Sequence, residues 1–137
     1  RAVLMTHVDT ASSVKSDVQA VRAAMDAAGH SALLAVDCVA SLGCDEFRMD
    51  DWGVDVMLGA SQKGLMCPPG MGFVWFNDKA LEACKSSNAR TPYWDWTERD
   101  GALIVQAGRG RPQRVGELLA VFRKPDRQVA GERRHIF

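Results

Sequence analysis

Residues 31–39 read SALLAVDCV, and this stretch decides the fold class of the chain. Its apolar residues follow one another without the alternation of polar and apolar side chains that marks a half-exposed strand. A continuous apolar strand is typical of a parallel sheet that helices cover on both faces. The stretch therefore predicts an α/β fold with a mostly parallel sheet flanked by helices.

The segments around this strand fit the same layered arrangement. Upstream, residues 1–9 (RAVLMTHVD) predict a strand, and a helix should follow, because apolar residues recur there at helical spacing up to Ala28. Ser16, with Gln19 three residues later, predicts a capping box at the start of this helix, and Gly29 suits its end.

The downstream segments predict two further strands and a second helix. The strands are VDVMLGA (residues 54–60) and GMGFVWFN (residues 70–77), and the helix is KALEACKSS (residues 79–87). Asn77 or Asp78 can cap this helix, since short polar side chains accept hydrogen bonds from the first free amides.

Polar side chains follow three of these strands at their carboxyl ends. Thr10 comes after the first strand, Asp37 lies near the end of the second, and Ser61, Gln62 and Lys63 follow the third. In open α/β sheets ligands bind beyond the carboxyl ends of the strands. If the three strands are adjacent and parallel, these groups converge on one crevice.

Composition sets broad limits on the class of protein. The 137 residues are 47% hydrophobic and 25% charged, which is typical of a globular domain, and no apolar run approaches the length of a membrane span. The four cysteines and three histidines show no zinc-ligand spacing, so we expect reduced or buried thiols and no metal. No targeting signal is visible, and we expect a cytoplasmic location.

The chemistry of an aspartate and a lysine at strand ends narrows the function. Asp37 sits in an apolar run, where a carboxylate needs a partner; it is either a hydrogen-bonded structural residue or a carboxylate held for a cation. A desolvated lysine such as Lys63 becomes a usable nucleophile. Pyridoxal phosphate enzymes need both groups, a lysine for the Schiff base and an acid for the pyridinium nitrogen. The separation of Asp37 and Lys63 in the sequence is by itself weak evidence for such an enzyme.

Longer motifs carry a specific resemblance. LLAVDCVASLG (residues 33–43), WGVDVMLGASQKGLMCPPGMGF (residues 52–73) and TPYWDW (residues 91–96) together resemble the class V aminotransferases, and most of all those that use alanine or serine with glyoxylate. The residues HVDTASSV (7–14) resemble a family segment more loosely, because Asp9 replaces the usual Glu and Ser13 the usual Gly.

The resemblance implies a role for each residue of the site. Lys63 forms the Schiff base with pyridoxal phosphate and shuttles the substrate's proton, and Asp37 pairs with the pyridinium nitrogen. Val39 packs on one face of the ring, Gln62 lies beside the phosphate or phenolic side, and Thr10 lies near O3′. It further implies the large domain of a fold-type I transferase and a homodimer.

The expected reaction is transfer of an amino group from alanine or serine to glyoxylate. Serine–pyruvate or pyridoxamine–pyruvate exchange are alternative reactions of the same class. The resemblance covers about two-thirds of the chain, so we assign residues 1–99 to the central part of the cofactor-binding large domain. Other parts of such enzymes bind the phosphate and the substrate carboxylate, and we expect little or no activity from these residues alone.

Residues 100–137 differ in composition from the rest. Residues 101–137 carry eight Lys and Arg against three Asp and Glu, whereas residues 1–100 carry nine against 14. No family motif is recognisable there, and we interpret this tail as a frameshifted or disordered segment. Its GRGRP (residues 108–112) resembles the core of an AT-hook, which makes a DNA-binding appendage the alternative hypothesis from another class. We expect no nucleic-acid binding, because a match of this length is weak.

Overall fold

A six-stranded mixed sheet organises the chain in a computed structural model, which describes residues 1–88 and the backbones of residues 106–107 and 118–123. The strands are β1 Ala2–Thr6, β2 Leu33–Asp37, β3 Val56–Ala60, β4 Met71–Phe76, β5 Gln106–Ala107 and β6 Leu118–Arg123, and the helices are α1 Val18–Ala27 and α2 Asp78–Lys85. The sheet order is β1-β2-β3-β4-β6-β5.

The first three strands of the sheet are parallel neighbours. β1 pairs with β2 and β2 with β3, both in parallel, while β4 turns back antiparallel to β3. β6 lies parallel to β4, and β5 is antiparallel to β6. The mostly parallel α/β sheet predicted from the sequence is therefore confirmed, with α1 as the crossover between β1 and β2.

The start of α1 corrects one prediction. Asp17, not Ser16, is the N-cap: its backbone is extended and its carboxylate accepts a hydrogen bond from the Ala20 amide. Ser16 is held one residue earlier, because its amide donates to the His7 carbonyl at 2.7 Å. At the other end Gly29 takes a φ of +61°, which confirms its predicted place just beyond the helix.

Apolar side chains cover both faces of the sheet. On one face Leu34 and Val36 are fully buried against Val18 and Met25 of α1, and Trp52 and Trp75 pack at the margin of this core. On the other face Val56, Val74 and Phe76 pack against Ala80 and Leu81 of α2. Asn77 caps α2, which settles the choice between Asn77 and Asp78.

A buried aspartate that the sequence did not single out joins the strands at their opposite edge. Asp55 is only 3% exposed and precedes β3. Its carboxylate accepts hydrogen bonds from the Leu34 amide at 2.8 Å, Asn77 Nδ2 at 2.9 Å and Lys79 Nζ at 3.1 Å. These bonds replace the water that the buried charge has lost, so Asp55 ties β2, β3 and the start of α2 together.

Other predictions fall on residues that the structure does not describe. TPYWDW and GRGRP lie in such segments, and the interpretation of residues 100–137 as an aberrant or disordered tail stays a prediction; its two described strands are β5 and β6. Within the described residues, no helix is both long and apolar enough to cross a membrane.

Candidate functional site

The carboxyl ends of β1, β2 and β3 meet at one edge of the sheet. Thr6, Asp37 and Leu58 lie opposite one another in the parallel register. Just beyond them, the His7 amide donates to the Asp37 carbonyl and the Cys38 amide to the Leu58 carbonyl, both at 2.9 Å. The predicted site residues all belong to the segments that leave this edge, and their convergence on one crevice stays a prediction.

Asp37 is the last residue of β2 and is half-buried. One carboxylate oxygen, Oδ1, accepts a hydrogen bond from the Val39 amide at 2.8 Å. Oδ2 has no hydrogen-bond partner among the described residues. The carboxylate is therefore fixed in orientation by its own turn and keeps one oxygen open for a donor. The deeply buried, paired aspartate is Asp55, at the other end of the strands.

Lys63 and Gln62 lie in the loop between β3 and β4, residues 61–70. Ser61, a residue that sequence reasoning left aside, closes this loop: its buried hydroxyl donates to the Pro68 carbonyl at 2.7 Å, and its carbonyl accepts the Cys67 amide at 3.0 Å. Lys63 and Gln62 are exposed on the loop, so the described residues do not provide the desolvation expected for Lys63. Their side chains make no hydrogen bond or ion pair within the described part of the chain.

The turn after Asp37 packs against this lysine loop. Cys38 begins the turn, and its carbonyl accepts the amides of Ser41 and Leu42. Gly43, with a φ of +80°, lies against the backbone of Gly64, and Cys44 Sγ lies close by. The glycines allow this approach because neither has a Cβ. The position of the Asp37 turn thus fixes that of the loop carrying Lys63.

Thr10 stands at the tip of a short hairpin that follows β1. Val8 and Lys15 pair across its base, and the Asp9 carboxylate accepts the amides of Ala11 at 2.6 Å and Ser12 at 3.2 Å. Ser13 takes a φ of +59°, a conformation that suits the glycine usual at this position by resemblance. The Thr10 hydroxyl is exposed and has no partner among the described residues.

His7 is a buried polar residue behind this edge that sequence reasoning did not single out. Its ring is fully buried, Nδ1 lies 2.9 Å from Ser41 Oγ, and Nε2 has no hydrogen-bond partner within residues 1–88. Phe47 and Trp52 contact it edge-on, with ring centroids 5.2 Å and 5.8 Å away. Burial, with a smaller effect of Lys15, lowers the pKa of His7, so the ring is neutral near pH 7.

An exposed ion pair joins the Thr10 hairpin to the Asp37 turn. Lys15 Nζ lies 2.9 Å and 3.0 Å from the two carboxylate oxygens of Asp45. The hydrogen bond from Lys15 holds the pKa of Asp45 below its usual value. Asp45 and the nearby Asp50 and Asp51 are all exposed.

The cysteines near the site are free thiols. Cys38 is buried, Cys84 is partly buried, and Cys44 and Cys67 are exposed. Burial raises the pKa of Cys38 to about 12, so this thiol is an unreactive part of the core.

The chemical groups available at this edge of the sheet are of the types that can hold pyridoxal phosphate. The sheet edge offers an amine in Lys63, an open carboxylate oxygen in Asp37, and an amide and a hydroxyl in Gln62 and Thr10, with Val39 as a half-buried apolar side chain. These are the donors, the acceptor and the apolar surface that an aldehyde on a charged heteroaromatic ring requires. Their polar atoms are not committed to other partners among the described residues, Asp37 Oδ1 excepted.

Comparison with known proteins gives consistent matches. The family described as aminotransferase class-V matches residues 1–96. L-aspartate–glyoxylate aminotransferase of Paracoccus denitrificans is 53% identical over 95 residues, which are 69% of this chain and 24% of that protein. Serine–glyoxylate aminotransferase of Hyphomicrobium methylovorum is 51% identical over 90 residues, which are 66% of this chain and 22% of that protein.

A solved structure matches as well. The alanine–glyoxylate aminotransferase from Nostoc sp. superposes with a TM-score of 0.62 at 30% identity, over 70% of this chain and 26% of that one. The chain thus spans about a quarter of the length of the relatives it matches.

Proposed function

Because this chain belongs to the class V aminotransferase family, we propose that the whole protein transfers an amino group to glyoxylate with pyridoxal phosphate as its cofactor. The resemblance predicted from the sequence is confirmed, and so is the fold of a fold-type I large domain. All three relatives described above have glyoxylate in their names, which supports glyoxylate as the acceptor.

One observation carries the proposal: Asp37 and the loop of Lys63 occupy the carboxyl ends of neighbouring parallel strands, and the Asp37 turn packs directly on that loop. This places an acid with one open oxygen and an uncommitted amine at the same edge of the sheet. When bound, pyridoxal phosphate would stabilise negative charge on the α-carbon of an amino acid.

The chain's own residues then have distinct tasks. Lys63 Nζ would be the amine that holds the cofactor and the base that carries the proton of the substrate's α-carbon. Asp37 would accept a hydrogen bond from the ring N–H through Oδ2 and stabilise the positive charge of the ring. Val39 offers apolar surface to the ring, and Gln62 and Thr10 donate hydrogen bonds to its polar substituents.

The amino donor we propose is alanine or serine. Serine and alanine occur in the names of two relatives, and aspartate in that of a third. Amino-group transfer by the whole protein from alanine, serine and aspartate to glyoxylate, compared by kcat/KM, identifies the donor. A preference for aspartate would overturn the proposed donor and leave the proposed reaction type intact, and use of pyruvate in place of glyoxylate would overturn the acceptor.

A chimera tests the site itself. In the Hyphomicrobium serine–glyoxylate aminotransferase, the segment equivalent to residues 1–96 of this chain is replaced by those residues, so that the rest of the cofactor pocket is present. We expect the chimera to bind pyridoxal phosphate, with the visible absorbance of a protein-bound cofactor, and to turn over. After borohydride reduction, peptide mapping should find the cofactor on Lys63.

Substitution of single lysines supplies the control. Lys63→Ala should lose covalent attachment and turnover, whereas Lys85→Ala, at an exposed lysine of α2, should retain both. Attachment that persists in Lys63→Ala would refute the assigned lysine. We also propose that the whole protein is a homodimer, as the resemblance implies; the mass of the chimera in solution checks whether these residues are compatible with one.

A further inference from the structure

We propose that His7 and Ser41 are positioning residues for the cofactor site: their buried hydrogen bond holds the turn that separates Asp37 from Lys63. The inference rests on the proposed function. Neither residue lies among those assigned to the cofactor. Both act through the turn of residues 38–45, which leaves the open end of β2.

His7 is linked to Asp37 through its backbone. The His7 amide donates to the Asp37 carbonyl at 2.9 Å, and the His7 carbonyl accepts the Ser16 amide at 2.7 Å. The backbone of His7 therefore joins the end of β2 to the base of the Thr10 hairpin. Because its ring is fully buried, the side chain cannot swing away without opening the core.

Ser41 is linked to the loop that carries Lys63 through the turn of residues 38–45. Ser41 is 1% exposed and its Oγ lies 2.9 Å from His7 Nδ1. Two residues later Gly43 packs on the backbone of Gly64, which directly follows Lys63. A displacement of Ser41 is passed to this contact, because close-packed backbones transmit strain rather than absorb it. The pair thus governs the spacing between carboxylate and amine.

The surroundings of the His7 ring determine its charge. Phe47 and Trp52 surround the ring, and the charged groups that face it are Lys15, which lowers its pKa, and Asp45, which raises it. Burial is the larger effect and keeps the ring neutral. The hydrogen bond between His7 and Ser41 therefore holds the turn of residues 38–45 in place at the pH at which Lys63 must act.

The chimera is first freed of its cofactor. Its affinity for pyridoxal phosphate is then measured by absorbance titration. Ser41→Ala and His7→Leu each remove the bond, and we expect affinity to fall about tenfold, the effect of about 1.4 kcal/mol. His7→Asn keeps a polar atom near the place of Nδ1 and should retain affinity within about threefold. The pH at which the bound cofactor changes its absorbance should shift in the first two variants and stay constant in the third.

Two matched changes serve as controls. His30→Leu removes an exposed histidine whose Nδ1 accepts the Ala32 amide, before β2 begins, and Ser86→Ala removes a hydroxyl that donates to the Ala83 carbonyl at the end of α2. Neither should change affinity. All measurements are made well below the melting temperature of each variant, so that only folded protein is compared.

The outcomes separate the two proposals. Failure of the unsubstituted chimera to bind pyridoxal phosphate would overturn the proposed function. Normal binding by the chimera, with lower melting temperatures but unchanged affinity and absorbance in both Ser41→Ala and His7→Leu, would show that the pair only stabilises the fold. If His7→Leu does not fold, Ser41→Ala alone decides the result.

Discussion

Gly43 packs against Gly64 so closely that a Cβ on Gly43 would lie 3.0 Å from the Gly64 carbonyl carbon and 3.1 Å from its oxygen. The neighbouring atoms belong to backbone, which cannot rotate out of the way as a side chain can. The contact therefore sets how near the Asp37 turn comes to the lysine loop.

Replacement of Gly43 by alanine should weaken cofactor binding by the chimera. The φ of Gly43 is +80°, so alanine costs about 1–2 kcal/mol in backbone strain and in addition pushes the lysine loop outward. Gly29→Ala is the matched control, because Gly29 has a φ of +61° and no atom of the described residues lies within 4 Å of the added Cβ. Both variants should lose stability, but only Gly43→Ala should bind pyridoxal phosphate more weakly; equal affinities would show that the contact does not position the loop.

Ser13→Gly should stabilise the hairpin that carries Thr10. Ser13 has a φ of +59°, a region that costs a residue with a Cβ about 1–2 kcal/mol, while glycine loses about 0.5–1 kcal/mol in backbone entropy. The net gain should be up to about 1.5 kcal/mol, measured as a higher urea midpoint of the chimera. Ser31→Gly, at an exposed serine without positive φ, should be neutral or slightly destabilising. A fall in stability for Ser13→Gly would contradict the conformation of this hairpin.

Asp55→Ala should be the most destabilising of these changes. It leaves the Leu34 amide without its acceptor and removes the charge that Lys79 and Asn77 contact, which costs about 3–5 kcal/mol for a buried network. Asp51→Ala removes an exposed carboxylate 3.6 Å from Arg48 and should change stability by about 0.5 kcal/mol or less. Similar urea midpoints for the two variants would argue against the buried network.

The sequence predicted what local patterns and motifs encode. The apolar run of β2 indicated the parallel sheet, and the resemblance pointed to Lys63 and Asp37, which the fold brings to one edge. It misplaced the cap of α1, because Ser16 and Asp17 are both good caps and only the bond from Ser16 to His7 decides between them.

Tertiary contacts account for the residues that were overlooked. His7 and Ser41 are separated by 34 residues, and nothing in either segment signals that their side chains meet in the core. Asp55 sits inside the predicted strand VDVMLGA, where its partners on β2 and α2 become visible only in the folded chain. The apolar run around Asp37 suggested the deeper burial there, whereas Asp37 stands at the open end of its strand.

Acid should destabilise the chimera through His7. Burial places its pKa in the folded protein below the usual value of 6.5 that it regains on unfolding, so the unfolded chain binds the proton more readily. This contribution to stability is fully present above about pH 6.5 and is lost as the pH falls through the lower pKa of the folded state. Asp45, whose pKa is also lowered, loses its contribution only below its usual value of 3.8, so the two effects occupy different pH ranges.

Urea midpoints of the cofactor-free chimera between about pH 8 and about pH 5 should fall with acid, and His7→Asn, which has no titrating group, should flatten this slope. His30→Asn, at an exposed histidine, should keep it; an unchanged slope in His7→Asn would show that His7 does not carry the acid sensitivity.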